Sequence, residues 1–264
     1  MEQPVNVMDL FSLKGKVAVI TGGAGLYGRQ AVTALAQAGA RTYIAARHLD
    51  KIEAVAAEER ANGHEVFALE LDQGDEASIL RLRDEILRRE ARVDILVNNA
   101  VLRVMKGWDD TVENFETSIK VNVTGVFLIT RAFGNEMARQ GGGSIINIGS
   151  TMGSIGPDLT LYAGTDMGNP APDYFIHKGG MLNFTRYVAS IYGSRNVRCN
   201  CISPGGFGTP NHRPDFRQRY NDRTFLGRMA NDTDLMGAIV YLASAASSYV
   251  TGANLPLDGG YTAK

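Results

Sequence analysis

The sequence predicts an α/β fold: a doubly wound parallel sheet flanked by helices on both faces. Three observations carry that expectation. Short apolar runs alternate with longer amphipathic ones from end to end. A Gly-rich turn, Thr21-Gly22-Gly23-Ala24-Gly25-Leu26-Tyr27-Gly28, follows the first apolar run and opens a helix. Further on, a helical segment begins with Tyr174-Phe175-Ile176-His177-Lys178. Alternating strand and helix signals imply β-α-β units with right-handed crossovers.

Strands are expected at 17–21, 42–46, 65–71, 95–98, 144–148, 197–202 and 254–257. Several are apolar throughout, as suits parallel strands covered on both sides. Helical patterns fill the intervals at 29–38, 50–61, 76–90, 115–139, 174–192 and 232–245. Ile119, Val123, Val126, Phe133 and Met137 recur at helical spacing, as do Leu235, Ile239 and Leu242, and both sets read as core stripes. Cys199 and Cys201 stand two apart in an apolar run, so a strand would turn both to one face as small buried hydrophobes. No linker, repeat or low-complexity tract interrupts the pattern, so one domain over 1–264 is expected. Two irregular segments, 152–173 and 205–226, leave the ends of expected strands, where open α/β sheets bind ligands.

Bulk properties narrow the function. The chain has 264 residues, a formal net charge of -1 and no Lys/Arg cluster of the kind a polyanion requires, so nucleic acid is not an expected partner. The most basic stretch, 81–92, interleaves Asp84, Glu85 and Glu90 and reads as a solvated helix face. No apolar run approaches the ~20 residues that span a bilayer. The first apolar segment is too short for a secretion signal. A cytoplasmic protein with no membrane partner is expected. No Cys or His group has metal-ligand spacing, so no metal is expected.

The two motifs describe complementary chemistry. A glycine turn between strand and helix lets a pyrophosphate approach backbone N–H groups at the helix N-terminus. Tyrosine and lysine four apart on a helix share a face. A phenol alone titrates near pH ~10, and a neighbouring ammonium favours its ionised form, which suits it to acid–base work. Together they point to hydride transfer with a dinucleotide. At the end of the second strand, Ala46-Arg47 stands where an acidic residue would hold a ribose 2′-hydroxyl. Arginine there suits a 2′-phosphate, so NADP(H) is favoured, with NAD(H) as the alternative.

In the order and spacing of these segments the chain resembles the short-chain dehydrogenase/reductase superfamily, with its Rossmann-type fold, from about Leu13 to Gly260. It is most similar to the compact sugar oxidoreductases of gluconate-5-dehydrogenase type. Thr21, Gly22 and Gly28 match the family turn. Leu26 replaces its middle glycine, with Gly25 one place earlier. The resemblance implies that Asp72 contacts the adenine ring and that Asn98 and Ala100, in Asn98-Asn99-Ala100-Val101, border the adenine ribose. It implies that Pro204, Gly205 and Thr209 face the nicotinamide. The catalytic set it implies is Asn122, Ser150, Tyr174 and Lys178. Ser150 and Tyr174 would hold the substrate oxygen, with Tyr174 exchanging the proton. Lys178 would support the phenol and hold the nicotinamide ribose, and Asn122 would hold a water in the proton relay. Members usually form dimers or tetramers, so a homodimer or homotetramer is expected.

The segment before Tyr174 is long and polar, with Asp158, Thr160, Thr165, Asp166 and Asn169. The second loop adds His212, Arg213, Arg217 and Arg219, which suit a carboxylate or phosphate. A small-molecule substrate that is sugar-like or a keto-acid is therefore expected. Apolar carbonyls such as β-ketoacyl, steroid or quinone compounds form the alternative within enzymes. A catalytically silent nucleotide-binding regulator is the alternative outside them, though it would need no Asn122-Ser150-Tyr174-Lys178 set.

Overall fold

The computed structural model describes residues 6–165 and 167–263, so Asp166 of the polar loop lies outside the described residues. Every expected strand forms: β1 (Val17–Thr21), β2 (Arg41–Ala46), β3 (Val66–Glu70), β4 (Ile95–Asn98), β5 (Gly143–Ile148), β6 (Val197–Pro204) and β7 (Asn254–Leu257). They make one sheet in the order β3-β2-β1-β4-β5-β6-β7, with parallel pairing throughout. The helices are α1 (Leu26–Gln37), α2 (Leu49–Ala61), α3 (Glu76–Glu90), α4 (Val112–Ile119), α5 (Gly125–Arg139), α6 (Pro172–Tyr192), α7 (Pro214–Asn221) and α8 (Met236–Ala243).

Strand alternation splits the core into two layers. Ala18, Ile20, Ile44, Val97, Ile146 and Ile202 face α1, α2 and α8, where Leu35, Ile52 and Ile239 are fully buried. Val17, Val19, Tyr43, Leu96, Ile145 and Cys199 face α3, α5 and α6, against Ile86, Phe133 and Val188. Strands buried on both sides explain the continuous apolar runs in the sequence. Cys199 and Cys201 are buried and free, as expected of small hydrophobes.

The chain reverses its direction of travel across the sheet between β1 and β4, which are direct neighbours. Loops leaving their carboxyl ends therefore diverge and open a crevice, the place where such sheets bind ligands.

Three expectations need correction. Val123, expected in the core stripe, is exposed. The single helix expected at 115–139 is interrupted: α4 passes through a π-helical turn, Lys120–Thr124, into α5. Such turns widen a helix and mark functional sites. The irregular segment 205–226 contains α7, begun by Pro214 in its first turn and buried through Phe216 and Tyr220, four positions apart. That spacing was legible, but Pro210, Pro214 and the run of arginines obscured it.

Candidate active site

The glycine turn is held by close backbone approach. Gly22 has φ 71°, a conformation L side chains rarely adopt. Gly28 packs on the Gly22 carbonyl, and a Cβ there would also stand 2.9 Å from the Asn99 amide nitrogen. Asn99 clamps the turn from the loop after β4: its Nδ2 donates to the carbonyls of Thr21 (2.9 Å) and Gly22 (2.8 Å). The Thr21 hydroxyl accepts in return from the backbone of Asn99 and Ala100. Gly25 caps α1, and a Cβ on it would meet nothing nearer than 3.8 Å. Its missing side chain leaves open the groove at the helix N-terminus, as a bound pyrophosphate needs.

A cleft of about 810 Å³ runs from this turn past β4 and β5 to α6. Gly22, Gly25, Leu26, Gly28, Arg47, Asp72, Ala100, Pro204, Gly205 and Thr209 line it, together with Ser150, Tyr174 and Lys178. Arg47 is joined there by His48 and Lys51, which the sequence reading missed; Lys51 stands four positions on, in the first turn of α2. This cationic end suits an anionic group on a ribose, so the donor set fits a nicotinamide dinucleotide. Asn98 is the exception. It is 2% exposed, does not line the cleft, and donates instead to Thr130 (2.9 Å) and Asn147 (2.8 Å) inside the protein. Adjacent strand residues face opposite ways, so its neighbour Asn99 reaches the turn.

At the other end, Ala171 is extended and Pro172 occupies the first turn of α6, which places Tyr174 and Lys178 one helical turn apart on the cleft wall. The Lys178 ammonium lies 5.8 Å from the Tyr174 ring centre and donates to the Ile148 carbonyl at the end of β5 (2.5 Å). Burial pushes the Lys178 pKa below its ordinary value, against an opposing pull from Tyr174 and Cys201. Ser150 follows β5, and its oxygen accepts from the Met152 N–H (3.2 Å), which leaves the hydroxyl proton for a ligand.

Asn122 stands apart from the cleft. In the π turn its Nδ2 donates to the Leu102 carbonyl (2.8 Å) and to Ser118 Oγ (2.9 Å), and its Oδ1 accepts from the Leu102 N–H (2.8 Å). Both amide protons are spent on protein, so the side chain braces the loop after β4. Ser118 in turn donates to the carboxylate of buried Asp173, next to Tyr174. His177 is 4% exposed, lies edge-on to the Tyr174 ring (5.1 Å between centres), and neither ring nitrogen meets a partner among the described residues. Burial first, then Lys178 and Arg103, push its pKa down to about 3, so it is neutral.

The expected polar loops are largely spent on each other. Asp158 pairs with Arg223 (2.5 Å), and Thr160 accepts from the same guanidinium (2.6 Å). Thr165 donates to the Tyr162 carbonyl (2.8 Å). Arg219 donates to the carbonyls of Leu161 (3.3 Å) and Ala163 (2.5 Å), Arg213 pairs with Asp215, and Arg217 donates to the Thr209 carbonyl. His212 Nδ1 accepts from the Thr209 N–H. The cleft that Tyr174 lines is also lined by Met105, Met152, Tyr162, Met167 and Phe216, with Asn169 among them. Arg103, unremarked in the sequence, lies over the Tyr174 ring, 4.9 Å from its centre.

Comparison with known proteins shows the family. A family model described as enoyl-(acyl carrier protein) reductase matches residues 25–262. The 7α-hydroxysteroid dehydrogenase of Clostridium sardiniense is 33% identical over 258 residues, covering 94% of each chain. The D-threitol dehydrogenase of Mycolicibacterium smegmatis is 32% identical over 269 residues, covering 99% of this chain and 98% of the relative. A crystal structure of a gluconate 5-dehydrogenase from Burkholderia cenocepacia J2315, in complex with NADP and tartrate, has a TM-score of 0.88 at 29% identity and covers 98% of this chain and 100% of that one. Among the described residues no helix is long and apolar enough to cross a membrane. The chain belongs to the short-chain dehydrogenase/reductase superfamily and is an oxidoreductase acting on CH–OH groups.

Proposed function

We propose that the chain, folded as one domain, interconverts a ketone and a secondary alcohol on a polar, sugar-like or keto-acid substrate, with NADP(H) as the preferred coenzyme. The observation that carries the reading is convergence: Tyr174, Lys178 and Ser150 line the same cleft as the glycine turn and Arg47. A bound nicotinamide supplies or accepts the hydride. Tyr174 and Ser150 donate hydrogen bonds to the substrate oxygen, and Tyr174 gives it a proton in reduction and takes one in oxidation. Lys178, fixed by the Ile148 carbonyl, places positive charge beside the phenol. The cations at Arg47 and Lys51 support the NADP(H) preference, and the NADP-bound gluconate 5-dehydrogenase and the D-threitol enzyme support a polar substrate.

A second reading, an apolar ketone, is favoured by the methionine-rich wall and by the steroid dehydrogenase relative. Exposed Val123 and Phe127 on one helix face, with Tyr187 and Ile191 on α6, support self-association into a dimer or tetramer. The test is Tyr174→Phe. Loss of a general acid–base group lowers kcat by about 10²–10⁴-fold, while NADPH affinity by fluorescence titration stays within about twofold. Retained turnover in the variant would sink the assignment.

A further inference from the structure

Three charged side chains line the substrate end of the cleft: Asp173, Lys178 and Arg103. The first two are buried and engaged, Asp173 by Ser118 and Lys178 by the Ile148 carbonyl. Arg103 is different. Its guanidinium lies over the face of Tyr174 and forms no hydrogen bond or ion pair with any described residue. Contact with a ring face uses none of its five N–H donors, which form a planar fork matched to a carboxylate.

The position is also braced. Asn122 holds both the N–H and the carbonyl of Leu102, the residue before Arg103. The same amide donates to Ser118, and Ser118 donates to Asp173, the residue before Tyr174. One buried polar chain thus ties the loop carrying Arg103 to the helix carrying Tyr174. A guanidinium held this way loses less freedom on binding than one on a loose loop. Methionines and aromatic rings line the same cleft, and in the loop before Tyr174 the side chains of Asp158 and Thr160 are engaged by Arg223. Such a wall offers few partners to a neutral polyol and one strong partner to an anion.

We propose that Arg103 is a specificity-determining residue that binds the carboxylate of an acidic substrate, so that the enzyme acts on hydroxy acids and their keto acids in preference to neutral ketones and polyols. This rests on the hydride-transfer reading above and deepens it by naming the substrate class.

The test uses matched pairs with NADPH: levulinate against methyl levulinate, and 5-keto-D-gluconate against L-sorbose. Wild type is expected to favour the acid in at least one pair by about tenfold or more in kcat/KM. Arg103→Met should raise KM for the acid about 10–100-fold while the neutral partner changes less than about threefold, with Arg103→Lys intermediate. A second readout needs no turnover: L-tartrate titrated into NADPH-saturated Tyr174→Phe enzyme should perturb nicotinamide fluorescence, and adding Arg103→Met should abolish that response. Equal losses on acid and neutral substrates would mean that Arg103 acts through Tyr174, and would overturn the proposal. Turnover confined to neutral ketones would also overturn it, with the hydride-transfer reading intact. If no ketone reacts but tartrate binding still depends on Arg103, the carboxylate site stands and the reaction assignment falls.

Discussion

The two ends of the cleft are built by different means. At the glycine turn the walls are backbone: Gly28 sits on the Gly22 carbonyl, and Asn99 clamps the turn through main-chain oxygens. At the substrate end the walls are side chains on separate loops, joined by Asp158 with Arg223 and by the Asn122–Ser118–Asp173 chain. The first end has almost no freedom of volume and should tolerate little change. The second is a set of exchangeable contacts on a fixed frame. Superfamily relatives as different as a steroid and a threitol dehydrogenase align over nearly the whole chain, as expected if specificity resides in that second end.

Gly28→Ala attacks the rigid end and has the largest effect expected on coenzyme binding. Its Cβ would strike the Gly22 carbonyl and the Asn99 amide, and overpacking of that kind costs about 1–3 kcal/mol, or up to about a 100-fold loss in NADPH affinity. Fluorescence titration measures it, and circular dichroism confirms that the sheet survives. An unchanged dissociation constant would mean that the turn is not the pyrophosphate seat. Arg47→Ala acts on the same end through a side chain and should do less. Removal of a charge-assisted contact to a 2′-phosphate shifts the NADPH-to-NADH ratio of kcat/KM about tenfold toward NADH. If the ratio does not move, Lys51 or His48 carries the discrimination or the coenzyme is NAD(H).

The same contrast explains what the sequence revealed. Backbone-defined features leave local signatures: β1 with its glycine turn, the continuous apolar runs and the Tyr174/Lys178 spacing were all visible as patterns over a few residues. Side-chain networks leave none. Asp158 and Thr160 read as a polar surface for substrate, yet they serve Arg223, which lies more than sixty positions away. Asn122 stands in the π turn apart from the cleft, and its amide is engaged by the Leu102 backbone and Ser118. Asn98 and Asn99 are adjacent, and only the facing of β4 decides which one touches the turn. Arg103 carried no signal because it belongs to no local motif, and it matters through the ring it covers.

The sharpest probe of the substrate end concerns His177. Its ring nitrogens have no partner among the described residues, and burial with Lys178 and Arg103 nearby lowers its pKa to about 3. An unfolded histidine titrates near ~6.5, so between these values the unfolded chain binds the extra proton. The neutral ring therefore costs the fold nothing above about pH 6.5, and stability falls as pH drops from there toward about 3. At pH 5 the penalty is about 1–2 kcal/mol relative to pH 7.5. His177→Leu should remove that part of the pH dependence, read as a smaller drop in urea midpoint between pH 7.5 and 5 than in wild type. Gly28→Ala leaves His177 and its surroundings in place, so it should keep the wild-type slope. Identical slopes for wild type and His177→Leu would show that the imidazole finds a partner in solution, and would make the substrate end as fully satisfied as the coenzyme end.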